Sequence, residues 1–169
     1  MTSSSPPGLA RINALAHDEV AGVLHEICSS EAWVAAALAL HPYATADDLL
    51  TASDAATAAL SVDDLAEAMA GHPPIGRPSP GDPVSAREQR GMADASDDLR
   101  AEMLELNLAY QERFGHVFLI CATGATAGQL LDALRARVSN TPGTESMIVR
   151  TELGKINRIR LTRLVTEGM

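Results

Sequence analysis

Apolar residues recur at helical spacing through nearly the whole chain, and this constrains the fold more than any single motif. Val20, Val23, Leu24 and Ile27 share one helical face, as do Trp33, Ala37 and Leu40, and again Leu130, Leu131, Leu134 and Val138. The core must be built from alanine and aliphatic residues: hydrophobic residues make up 46% of the sequence but aromatics only 3%. Such a palette favours helices over strands. Start signals stand before the stripes. Asp18 is an N-cap candidate, Ser29 or Ser30 precedes Trp33, and Thr45 precedes Leu49 and Leu50. Ser61 with Asp64 opens a stripe through Leu65 and Met69, and Thr126 with Gln129 forms a capping-box pattern. His41-Pro42 stops one helix, and Gly71 suits the residue just past the end of another.

The spacing predicts a long helix over 85–113, with Leu99, Met103, Leu106 and Tyr110 on one face, and a last helix over 144–164 after a turn at 140–143. The one extended-looking run, 114–124, alternates poorly and has no strand partner, so no sheet is inferred. Residues 72–84 hold five prolines and two glycines, which excludes helix and central strand there. A chain of 169 residues suits one domain. The expected fold is all-α: a single-domain compact bundle of about seven to eight helices without significant sheet. It occupies residues 9–165, behind a disordered N-terminal tail at 1–8.

The formal net charge is −9, which repels phosphate backbones and argues against nucleic acid as a partner. An anionic small molecule stays allowed, because one local cation can dominate a pocket. No stretch reaches the roughly 18 apolar residues of a membrane span, and the polar N-terminus carries no apolar signal region. Cys28 and Cys121 lack metal-ligand spacing and are expected to be buried free thiols of a cytoplasmic protein. Metal-binding, phosphate-loop, dinucleotide and serine-hydrolase motifs are all missing, so metal binding and dinucleotide binding are unsupported.

Three residues break the pattern. Val149, Leu153 and Ile156 form a stripe whose next member is Arg160, within about 20° of Val149 on a regular helix. It either snorkels or pairs with a structural carboxylate, or it is an anion clamp suited to a carboxylate or ureido group. Counting back from Leu99 along the long helix puts Glu88 inward. Ser85-x-x-Glu88 also reads as a capping box, so Glu88 is either a cap or a pocket carboxylate. His72 precedes two prolines on a stiff loop, where a histidine is either an ordinary surface residue or a deliberately positioned imidazole.

Gly71-His72-Pro73-Pro74-Ile75-Gly76, followed by Ser85-x-x-Glu88-Gln89-x-Gly91, resembles the core signature of the 2-oxo-4-hydroxy-4-carboxy-5-ureidoimidazoline (OHCU) decarboxylases. Leu104-x-x-Asn107-x-x-Tyr110-x-x-x-Phe114-Gly115-x-x-Phe118-x-Ile120 resembles the second block of that family. Asn140 and Glu145 resemble a short link. Glu152-Leu153-x-Lys155-Ile156-x-x-Ile159-Arg160-Leu161 resembles the C-terminal block. The Trp33 helix and Pro42 fit as well, and the resemblance covers 9–162.

The resemblance implies an all-helical, dimeric, cofactor-free carboxy-lyase of urate breakdown that releases S-allantoin and CO2. It implies His72 and Glu88 as the catalytic pair. Pro73, Ser85, Gln89, Phe118, Leu119, Ile120 and Arg160 would bind the anionic substrate, the 118–120 stretch partly through its backbone. The competing readings are a non-catalytic helical interaction domain, in which Glu88 only caps and Arg160 only pairs, and a related ureido-acid enzyme on the same scaffold.

Overall fold

The computed structural model describes residues 6–72 and 83–167, and for 83–85 the backbone alone. The helices are α1 (Pro7–Ala14), α2 (His17–Ile27), α3 (Glu31–Leu38), α4 (Ala46–Ala58), α5 (Val62–Ala70) and α6 (Pro83–Glu88). A 3-10 turn follows at Arg90–Met92, then α7 (Asp97–Phe114), α8 (Ala127–Arg137) and α9 (Pro142–Glu167). The fold is all-α, with no strand among the described residues. Helix α1 begins two residues inside the stretch expected as tail, with Pro7 in its first position, where a missing N–H costs nothing. The chain divides into two compact units, Met1–Ala68 with Gly154–Met169, and Met69–Leu153.

In the first unit three of the four expected caps form. The Ser30 hydroxyl accepts from the Trp33 N–H at 3.3 Å, and Thr45 accepts from the Asp48 N–H at 3.1 Å. Ser61 and Asp64 exchange hydrogen bonds at 3.1 and 3.2 Å. Asp18 is not an N-cap: α2 starts earlier, after Ala16, whose N–H donates to the Glu19 carboxylate at 3.0 Å. Leu9, Ile12, Leu24, Trp33, Leu49 and Leu161 are fully buried, each worth about 1.5–3 kcal/mol of burial for an aliphatic side chain. Asn13 clamps Tyr43 by accepting from its N–H at 2.9 Å and donating to its carbonyl at 2.7 Å. A Cβ on Gly8 would stand 2.2 Å from the Leu164 carbonyl oxygen, so only glycine lets α1 lie this close to the end of α9.

In the second unit Met92, Met103, Tyr110, Phe118, Ala122, Leu130, Leu131 and Leu134 form the core. The single helix expected over 85–113 is broken. Helix α6 starts at Pro83 rather than 85, two residues inside the stretch expected not to be helix, since a proline in the first position loses no bond. It stops at Glu88, and α7 starts afresh behind Ser96, whose hydroxyl accepts from the Leu99 N–H at 3.2 Å. Two causes act, one local and one between distant segments. Ser96-Asp97-Asp98 is a strong helix start, a cap followed by two carboxylates at the positive end of the helix dipole. Gly91 meets the chain around Ala125 so closely that a Cβ there would lie 2.0 Å from the Ala125 carbonyl oxygen. Arg100 stitches the break by donating to the carbonyls of Met92, Ala93 and Ala95. Residues 115–126 are irregular, in keeping with the absence of a sheet. The Thr126–Gln129 capping box forms, with bonds of 3.1 and 2.9 Å. Helix α9 starts at Pro142 rather than 144, with Thr141 accepting from the Thr144 N–H at 3.2 Å.

Candidate active site

The break after α6 reshapes the argument for Glu88. Ser85 is the third residue of α6, not the residue before it, so the capping box with Glu88 does not exist. Glu88 instead closes the helix and is half-buried. A carboxylate at that end gains nothing from the helix's own field, so helix stability does not explain it. Gln89 follows at the head of the 3-10 turn and is buried. His72 lies two residues past α5, half-buried, its N–H bonded to the Met69 carbonyl at 3.0 Å. Pro73 lies outside the described residues, and so does the Ser85 side chain.

The Gly91–Ala125 approach joins the turn carrying Gln89 to the irregular chain 115–126. Phe118 and Leu119 are 2% and 3% exposed, and Ile120 is half-buried. Among the described residues, the N–H groups of Phe118, Leu119 and Ile120 and the carbonyls of Phe118 and Ile120 have no hydrogen-bond partner. Buried backbone groups are almost always paired. A run of unpaired donors and acceptors in a buried segment is what a ligand-binding edge requires. His72, Glu88, Gln89 and Phe118–Ile120 therefore all belong to the second unit.

Arg160 belongs to the first unit. It is half-buried at the end of a stripe whose other members, Val149, Leu153 and Ile156, are buried. Its Nη1 donates to the Ile27 carbonyl at 2.9 Å, at the end of α2. Cys28 follows directly. Burial raises its thiol pKa, against the opposing pull of the Ser30 backbone, Asn157 and Arg160. Neither cysteine forms a disulfide. Cys28 is buried as expected, whereas Cys121 is only half-buried.

Sequence reasoning does not single out Arg137. It lies in the last turn of α8, where a cation ordinarily faces solvent, yet it is 8% exposed. Its Nε donates to Glu145 Oε1 at 2.8 Å, its Nη2 donates to the same oxygen, and its Nη1 donates to the Leu119 carbonyl at 2.8 Å. Its guanidinium lies 4.5 Å from the centroid of the Phe118 ring. Tyr110 Oη donates to Glu145 Oε1 at 2.5 Å, and Asn140 Nδ2 donates to Oε2 at 3.2 Å. Burial alone would raise the Glu145 pKa, but the hydrogen bonds from Arg137, Tyr110 and Asn140 outweigh it and leave it lowered. The signal was available: Leu130, Leu134 and Arg137 fall at i, i+4 and i+7, the same stripe logic that singles out Arg160.

Among the described residues, no group of three or more His, Cys, Asp or Glu could hold a metal ion, and no helix is long and apolar enough to cross a membrane.

The model of the OHCU decarboxylase family matches residues 13–162. The chain belongs to the OHCU decarboxylase family. It is similar to the uric acid degradation bifunctional protein TTL of Arabidopsis thaliana, 32% identical over 133 residues. That alignment covers 75% of this chain but 41% of the plant protein, so the chain spans less than half of that relative's length. It is also similar to the 2-oxo-4-hydroxy-4-carboxy-5-ureidoimidazoline decarboxylase of Haloferax volcanii, 27% identical over 159 residues, 92% of this chain and 93% of that one. A crystal structure of OHCU decarboxylase in the presence of (S)-allantoin matches the fold with a TM-score of 0.74 at 29% identity. It covers 85% of this chain and 97% of the other.

Proposed function

We propose that this chain decarboxylates OHCU to S-allantoin and CO2, a late step of urate degradation. One observation carries the reading: the family match over 13–162 runs through every proposed site position, from His72 to Arg160. The unpaired backbone groups of 118–120 support it, since they offer both donors and acceptors to a ureido group.

Decarboxylation needs an electron sink, commonly supplied by a cofactor. The substrate carries its own, because the carbon bearing the carboxylate adjoins a C=N carbon. As the bond to the carboxylate breaks, its electron pair forms a C=C bond and the C=N pair moves onto nitrogen, which takes up a proton. The resulting enol loses its hydroxyl proton and gains a proton on the neighbouring carbon, giving the ring carbonyl of allantoin. No cofactor is needed on this route. Arg160 orients the anionic substrate by a two-pronged contact. His72 and Glu88 bind the hydroxyl region and move the proton as an acid/base pair. Pro73, Ser85 and Gln89 line the substrate, and the 118–120 backbone holds the ureido arm. Delivery to one face gives one enantiomer. The protein works as a cytoplasmic homodimer, which sedimentation at twice the chain mass would support and at the chain mass would refute.

His72→Ala should lower kcat by about 100-fold or more, and an unchanged rate would remove His72 from the chemistry. Arg160→Ala should raise KM. A normal KM would leave Arg160 a structural role, in keeping with its bond to the Ile27 carbonyl.

A further inference from the structure

We infer that Arg137, held by Glu145, is a positioning residue that sets the 118–120 backbone edge for the substrate. The inference rests on the decarboxylase reading above. It follows from how the buried cluster is connected.

The segment 118–120 is irregular and lacks a neighbouring strand, so no ladder holds it. Its one backbone hydrogen bond among the described residues runs from Arg137 Nη1 to the Leu119 carbonyl at 2.8 Å. The same guanidinium covers the Phe118 ring, fixing a second point of the segment. A cation reaching a carbonyl on a flexible stem would hold it loosely. Arg137 is instead locked from behind, with Nε and Nη2 both on Glu145 Oε1. Glu145 is locked in turn by Tyr110 at 2.5 Å and Asn140 at 3.2 Å, and Asn140 is tied to α7 where its carbonyl accepts from Arg113 at 2.9 Å. The chain of contacts thus runs from α7, through a buried ion pair between Glu145 of α9 and Arg137 of α8, to one carbonyl. The cluster consumes the Leu119 carbonyl and leaves the neighbouring Phe118 and Ile120 groups to a ligand. An ion pair needed only for stability would not have to end on the backbone of the segment with the unpaired groups.

The test separates positioning from folding by removing both charges. Arg137→Met alone strands a buried carboxylate and is expected to unfold readily. Arg137→Met with Glu145→Gln leaves no stranded charge, so it should regain most of the stability lost by the single variant, while the Leu119 carbonyl still lacks its donor. Measured below each variant's unfolding temperature, the double variant should lose at least about tenfold in kcat with KM changed less than about threefold, since orientation rather than anchoring is lost. Arg137→Lys, which restores one donor, should recover part of kcat. Hydrogen–deuterium exchange over 115–126 should rise in the double variant, with α7 and α8 unchanged. Stability and kcat recovering together, with exchange unaltered, would overturn the inference. A wild-type chain that does not turn over OHCU would overturn the decarboxylase reading instead, and the exchange measurement would still decide whether Arg137 orders the segment.

Discussion

At the scale of single residues, buried ionisable groups yield sharp expectations. The chain has two tyrosines. Burial pushes Tyr43 up to about 12, and burial together with the Glu145 carboxylate pushes Tyr110 higher still. A raised folded pKa means the neutral phenol stabilises the fold. That stability is complete below the ordinary value of 10.0 and is lost as pH rises towards 12. Spectrophotometric titration should therefore show no tyrosinate in the folded chain near pH 10, and tyrosinate should appear only as the chain unfolds. A native step at the ordinary value would contradict the burial of both rings. Glu145 works in the opposite sense. Its lowered pKa contributes stability above the ordinary value of 4.5, lost as pH falls through the folded value. Glu145→Gln should cost about 3–5 kcal/mol at neutral pH, because Arg137 is left buried without its counter-charge. Its stability should then fall less steeply on acidification than that of the wild type. Denaturant midpoints across pH test both parts. Arg160 was legible from the sequence because a charge stood on an apolar stripe. Arg137 stands on such a stripe as well, but its pairing with Glu145 was not legible, because the pair joins the end of one helix to the start of the next and no periodicity connects them.

At the scale of elements, the caps were legible and the break was not. Ser30, Thr45, Ser61 and Thr126 act through hydrogen bonds three residues away, which a local pattern records. The break between α6 and α7 depends on the Ser96 start and also on Gly91 meeting Ala125, a contact between segments far apart in sequence. The stripe counted through Leu99 therefore ran across residues that are not one helix, and the inward direction assigned to Glu88 did not follow from it. Two glycines test this account in opposite directions. Gly91→Ala should destabilise by about 1–3 kcal/mol, since the Ala125 backbone must move. Gly22 lies inside α2 with open space where a Cβ would stand, so Gly22→Ala should stabilise by about 0.5–1 kcal/mol. Thermal unfolding of both variants checks the pair of signs, and a neutral Gly91→Ala would mean the close approach is absent in solution.

For the whole molecule, the all-helical class followed from apolar spacing and an alanine-rich palette, and the family from ordered motif blocks between residues 9 and 162. The family match over 13–162 agrees with that extent. Of the proposed site, Pro73 and the Ser85 side chain lie outside the described residues. An acidic chain that decarboxylates an anion must concentrate its positive charge locally, which is the role given to Arg160. The central claim is the reaction itself. The most direct measurement is a circular dichroism time course in which OHCU is generated in place from urate by upstream enzymes and this protein is then added with a chelator present. The account predicts a rapid rise of one allantoin enantiomer, unaffected by the chelator. Slow, racemic allantoin matching the enzyme-free control would contradict it.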